Sequence, residues 1–216
     1  MQNMPEAVID SATKAHVRAV LLDACVAGTG TPTVYALAGI PGAGKTTFVR
    51  DALARRYFPQ GAFILNPDLV MECIPAYHAD RASMGPEDAF LKWEMPTRTL
   101  AYELVAQAGA KGVPIIKDMG LVRAENWRIL MDLRAKGYKI IIHHIICDVN
   151  EAVRRCATRE RHFPAQRIYE RARELDVLMA EFSGIADKVY RFNNTDLENP
   201  FVPLPSQSHS DFLKTA

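Results

Sequence analysis

Apolar positions in this chain come in two patterns. Short, nearly continuous runs rich in β-branched residues predict buried strands at residues 33–38, 61–65, 113–118, 138–147 and 188–192. Between them, helical spacing predicts helices at 46–56, 69–74, 87–107 (bent or restarted at Pro96), 123–136, 150–161 and 164–182, with Asn150 as a cap. The alternation predicts an α/β fold with a mainly parallel sheet flanked by helices. The run at 138–147 has the continuous apolar character of a central parallel strand.

The flanks differ from this core. Residues 5–27 predict an amphipathic helix with Val8, Ala12, Ala15, Val20, Leu21 and Ala24 near one face, packed on the sheet edge. Residues 77–86 are polar, and Gly85-Pro86 predicts a turn. From Asn193 the chain turns polar, with Pro200, Pro203 and Pro205. One domain is therefore expected over 1–195, followed by a surface tail, partly disordered, over 196–216.

At 216 residues, 49% hydrophobic and 24% charged, the chain can bury the core of one such domain. A net charge of +1 argues against a nucleic-acid binder held by bulk charge, though not against a local basic patch. Cys25, Cys73, Cys147 and Cys156 have neither C-x-x-C nor zinc-ligand spacing, so reduced thiols are expected. No run reaches membrane-spanning length, and Glu6, Asp10, Lys14 and Arg18 interrupt any signal-peptide core. The expected location is cytoplasmic; a protein delivered into another cell by specialised secretion would look the same.

Candidate chemistry begins at Gly39-Ile40-Pro41-Gly42-Ala43-Gly44-Lys45-Thr46, which fits the phosphate-loop pattern G-x-x-x-x-G-K-[ST] between a predicted strand and a predicted helix. Glycines let the backbone approach an anion, and the N–H groups of the loop and the helix start point at it. Gly39, Pro41, Gly42, Ala43, Gly44, Lys45, Thr46 and Thr47 are the expected nucleotide-binding residues. Lys45 would reach the β- and γ-phosphates, and Thr46 would ligate Mg²⁺. No [NT]-K-x-D segment for reading guanine is present, which counts against a GTPase. The size and the single loop count against a motor or transporter ATPase.

Other candidates lie past strand ends, where open parallel sheets place their ligand sites. Asp68 follows the second strand and suits either a base that accepts a hydroxyl proton or a helix N-cap. Asp118 ends the third strand at a metal-holding position, or serves the turn before Met119-Gly120. Arg154, Arg155, Arg159, Arg161, His162, Arg167, Arg171 and Arg173 crowd the late helices. Some of them suit a lid over phosphates. The rest suit solvated faces paired with Glu151, Glu160, Glu170 and Glu174. Phe163 and Tyr169 interleave them too thinly to favour a nucleic-acid groove. His143 and His144 point to opposite faces of one strand and are expected to be packing residues, as are Trp93 and Trp127. His78 is expected at the surface.

The phosphate loop through Thr47, Ile64-Leu65-Asn66-Pro67-Asp68, Pro75-Ala76-Tyr77, Ile115-Ile116-Lys117-Asp118-Met119-Gly120, Lys136-Gly137-Tyr138, Arg159, Pro164 and Arg171 together resemble the zeta-toxin family of P-loop kinases, over about residues 33–193. The resemblance implies an alcohol-accepting phosphotransferase that uses ATP or GTP with Mg²⁺. It makes Asp68 the base, Lys45 a phosphate ligand, Arg159 and Arg171 charge-stabilising arginines, and Asp118 the acidic residue after the third strand. It also implies a glutamate from the long helix, either Glu94 or Glu103. Family toxins phosphorylate a UDP-activated amino sugar, so a small nucleotide-like or nucleotide-sugar acceptor is expected, with an antitoxin partner left open. A polynucleotide or modified-base DNA kinase is the first alternative, and a nucleotide-dependent switch with little catalysis the second. Lys117-Asp118-Met119-Gly120 departs from the family's carboxylate followed by Gly-Thr or Thr-Thr, and residues 77–87 are unusual.

Overall fold

A computed structural model of the protein describes residues 6–158 and 163–204. The strands are β1 (Thr33–Ala38), β2 (Phe63–Leu65), β3 (Ile115–Lys117), β4 (Lys139–Ile146), β5 (Lys188–Asn193) and β6 (Val202–Pro203). The helices are α1 (Ser11–Leu21), α2 (Lys45–Ala54), α3 (Pro67–Glu72), α4 (Pro75–Met84), α5 (Pro86–Ala110), α6 (Ala124–Ala135), α7 (Val149–Ala157) and α8 (Ala165–Ile185). The strands form a sheet in the order β2-β3-β1-β4-β5-β6, parallel except for the antiparallel β6. This is the expected α/β class.

β1 lies between β3 and β4, with Val34 level with both Ile115 and Ile140. Val34, Leu37, Ile115, Ile116, Ile140 and Ile142 are fully buried. Their continuous apolar character follows from cover on both faces of a parallel sheet. The C-terminal ends of β1, β2 and β3 all meet one edge of the sheet, which brings the loops at 39–44, 66 and 118–120 side by side.

Several departures from the sequence expectation have identifiable causes. Residues 75–84 form α4 rather than a polar turn region, with Pro75 in the first turn, where its missing N–H costs nothing. Asp80, on α4, accepts from Trp93 Nε1 at 2.6 Å and pairs with Lys92 at 2.7 Å, tying α4 to α5. α5 continues through Pro96 for 25 residues. A proline there deprives the Lys92 carbonyl of its helical donor, and Ala7 N–H donates to that carbonyl at 3.1 Å.

α1 is shorter than expected and buries a different face. Val17 and Leu22 are fully buried, whereas Val8 and Val20 are exposed, as are Ala12, Ala15 and Ala24. Lys14 bonds Glu103 at 3.0 Å, which ties α1 to α5. α7 is capped by Asp148, which accepts from Asn150 N–H and Glu151 N–H, and not by Asn150. Within the segment expected as a surface tail, β6 pairs with β5 and Phe201 is buried. Pro205 and the residues after it lie outside the described residues.

Candidate active site

The phosphate loop leaves β1 and enters α2 through Gly44, which has φ +93° and supplies no capping side chain. The first N–H groups of α2 therefore face the loop's concavity with the positive end of the helix behind them. Gly42, at φ +85°, sits so close to α7 that a Cβ would stand 2.5 Å from the Ala152 carbonyl oxygen. Lys45 Nζ donates to Gly39 O and Ile40 O at 2.9 Å each, holding its ammonium over the loop. Thr46 and Thr47 follow on the exposed first turn of α2.

Beside the loop stand the ends of β2 and β3. Asn66 is the N-cap of α3 and accepts from Asp68 N–H at 2.9 Å. The capping role that the sequence allowed for Asp68 thus belongs to Asn66, and Asp68 sits exposed in the first turn of α3. Asn66 Nδ2 also donates to Asp118 Oδ2 at 3.0 Å. Asp118 is buried, and its Oδ1 has no hydrogen-bond partner. Burial pushes its carboxyl above the usual carboxylate range, while the Lys45 charge, the Thr46 hydroxyl and the Asn66 amide act the other way.

The sequence reading missed Lys117 as a site residue. Its side chain is fully buried, and Nζ donates to Met119 O at 3.3 Å. Burial lowers its pKa to about 7, with Asp118 opposing and Arg98 and Lys45 reinforcing the shift. The available signal was a charge inside the apolar run Ile115-Ile116-Lys117. Arg98, from α5, also went unnoticed. It bonds Glu94 at 2.8 Å, and Arg123 stands 3.7 Å from the same carboxylate. Glu103, by contrast, faces α1 through Lys14. Of the two glutamates, Glu94 is the one paired with Arg98, whose charge acts on Lys117.

Arg171 reaches from α8 to donate to Val122 O at 3.0 Å, which places its guanidinium at the β3–α6 connection, and it also pairs with Glu174. Arg154 and Arg155 pair with Glu151, and Arg167 pairs with Glu170. Arg159, Glu160, Arg161 and His162 lie outside the described residues. His143 is fully buried in an aromatic surround, with Nε2 2.9 Å from the Tyr57 hydroxyl. His144 is half-buried on the other face. Trp93 is buried, while Trp127 is partly exposed against Phe182. His78 Nε2 lies 2.8 Å from Glu72 O at the surface.

A family model described as zeta toxin matches residues 18–198. A structure from the PezAT chromosomal toxin–antitoxin system of Streptococcus pneumoniae is 17% identical, with a TM-score of 0.66 over 95% of this chain and 86% of that one. A putative kinase from Chloroflexus aurantiacus is 14% identical, with a TM-score of 0.53 over 79% of this chain and 92% of that one. The AvrRxo1-ORF1:ORF2 complex with ATP is 16% identical, with a TM-score of 0.51 over 89% of this chain and 62% of that one. No curated protein sequence matches the chain with significance. The zeta-toxin model accounts for everything from within α1 to beyond β5, and the chain therefore belongs to the zeta-toxin family.

Proposed function

We propose that the protein is a kinase that transfers the γ-phosphoryl group of ATP or GTP to a hydroxyl of a small nucleotide-like or nucleotide-sugar acceptor. The observation that carries this reading is the convergence of the phosphate loop with Asn66, Asp68 and Asp118 at adjoining strand ends. The loop's N–H groups and Lys45 hold the donor phosphates. Asp68 takes the proton of the acceptor hydroxyl, whose oxygen bonds to the γ-phosphorus as the bond to the β-phosphate bridging oxygen breaks, leaving ADP or GDP. Arg171 and Arg159 stabilise charge on the transferring group.

The residues present fit a magnesium ion. Asp118 offers a buried oxygen without a hydrogen-bond partner, close to the Thr46 hydroxyl. Thr46 and Asp118 would hold the ion, directly or through water. When bound it supplies positive charge that neutralises the phosphate oxygens.

Further features support the rest of the reading. Glu94 shares Arg98 and Arg123 on the acceptor side and orients them. The structural neighbours that belong to toxin–antitoxin or two-chain complexes favour a protein partner of antitoxin type. Among the described residues no helix is long and apolar enough to cross a membrane, and the four cysteines are free thiols.

The test is transfer of label from γ-labelled ATP and GTP, first to UDP-linked amino sugars and then to a pooled metabolite extract. A labelled small-molecule acceptor supports the reading. Label appearing only on polynucleotides, or turnover that no acceptor stimulates, overturns it.

A further inference from the structure

The phosphate loop is held from a second direction, by the end of β5, on the far side of β1 from β2. Asn194 follows β5 and is 3% exposed. Its backbone N–H donates to Ile146 O at 2.7 Å, which fixes it to the end of β4. Its Nδ2 donates to Ala43 O, inside the phosphate loop, at 2.8 Å. The next loop residue is shaped to admit it, since a Cβ on Gly44 would stand 2.4 Å from Asn194 Nδ2. Gly44 therefore answers two demands, a left-handed φ and room for this amide.

The contact continues into α7. Thr195 Oγ1 accepts from Asp148 N–H at 3.0 Å, and Thr195 O accepts from Arg155 at 2.9 Å. Arg155 is held in turn by Glu151 at 2.8 Å. A polar chain thus runs from α7 through Thr195 and Asn194 to the loop. Arg155, one of the crowded late arginines, is engaged in that chain.

The structure assigns Asn194 as a positioning residue for donor phosphate. By holding the Ala43 carbonyl away from the concavity, its amide keeps the neighbouring loop N–H groups aimed at the anion. A peptide unit has one rotation about its axis, so a carbonyl fixed outward fixes its N–H inward. Asn194 Oδ1 is buried without a hydrogen-bond partner, so the amide is retained at the expense of one unsatisfied acceptor. That pattern suits a group selected for the bond its nitrogen makes. The assignment rests on the nucleotide-binding reading above and adds to it the part of the chain that shapes the loop.

The experiment is calorimetric titration of ATP and of inorganic tripolyphosphate into the full chain, as wild type, Asn194→Leu (similar bulk, no donor) and Asn194→Ala. Thermal melting is recorded for each, and Tyr138→Phe serves as a core control, because it loses only the bond to Val113 O and the weaker one to Ala108 O. The expected result is an affinity loss of about 10-fold or more for both ligands in both Asn194 variants, with tripolyphosphate falling as far as ATP. The Tyr138 variant should melt lower yet bind normally. ATP binding within twofold of wild type in either folded Asn194 variant overturns the assignment. So does a loss for ATP that spares tripolyphosphate, since the contact would then be with the base. A wild-type chain that binds neither ligand fails the nucleotide reading itself, which separates the two failures.

Discussion

Asn66 donates from Nδ2 to Asp118 Oδ2 at 3.0 Å while its Oδ1 accepts from Asp68 N–H at 2.9 Å. One side-chain amide therefore links the ends of β2 and β3 and sets the spacing of the two carboxylates. Asn66→Ala removes both contacts. The amide favours the charged form of Asp118, so its loss raises that carboxyl further. The acid limb of the pH–activity profile should move to higher pH, and loss of the cap should cost about 1 kcal/mol of stability. A profile unmoved on the acid side would mean that Asn66 does not support Asp118.

Asp68→Asn should leave the fold and nucleotide affinity intact, because Asn66 rather than Asp68 caps α3. Phosphoryl transfer should fall by about 10²–10⁴-fold, as for loss of a general base. Rapid-quench measurement of transfer, beside a nucleotide titration, separates the two effects. Full transfer in this variant would remove Asp68 as the base.

Gly42→Ala should disable the phosphate loop. The residue holds φ +85°, and the added methyl would stand 2.5 Å from Ala152 O in α7. Backbone strain of about 1–3 kcal/mol and displacement of the loop should follow. The measurements are the melting temperature and ATP affinity, both expected to drop.

Glu94→Gln and Glu103→Gln should behave differently despite sharing α5. Glu94 balances Arg98 and Arg123 within a partly buried cluster, so its loss should raise the acceptor KM by about 10-fold. Glu103 makes an exposed pair with Lys14, and its loss should change stability by less than about 1 kcal/mol and leave kinetics alone. Steady-state kinetics with a chosen acceptor decides between them.

His143 gives stability an acid dependence. Burial lowers its pKa to about 3, below the usual imidazole value of 6.5. Between those values the unfolded chain binds a proton that the folded chain does not, so stability is full above pH 6.5 and is lost as pH falls toward 3. By pH 4 the loss should be on the order of 3 kcal/mol. His144, lowered to about 4, acts in the same direction. Denaturant melts at several pH values should show a shallower acid slope for His143→Phe than for wild type.

The phosphate loop, the strand–helix alternation and the positions of Asp68 and Asp118 were legible in the sequence because each depends on local chemistry. Glycine spacing, continuous apolar runs and carboxylates at strand ends are properties of neighbouring residues. The division of labour between Asn66 and Asp68 was not legible. Either residue type can cap a helix, and only the orientation of the chain leaving β2 selects one. The fate of Pro96 depended on Ala7, an N–H far along the chain that takes the helical donor's place. The face of α1 was misjudged because Val17 and Leu22 meet a neighbour that periodicity alone does not specify. Glu94 and Glu103 were equivalent in sequence and separated only by what stands opposite each, Arg98 and Arg123 for one and Lys14 for the other.

The sequence by itself determined the kind of fold and the candidate phosphate-binding end of the proposed site, because backbone geometry and burial pattern are encoded locally. Tertiary structure alone decided which side chains complete that end. Asn194 lies 151 residues beyond Ala43, and Asn66 lies 52 residues before Asp118. Contacts at such separation come from strand order in the sheet, which places β5 and β2 on opposite sides of β1, and strand order is not written in any short stretch of sequence.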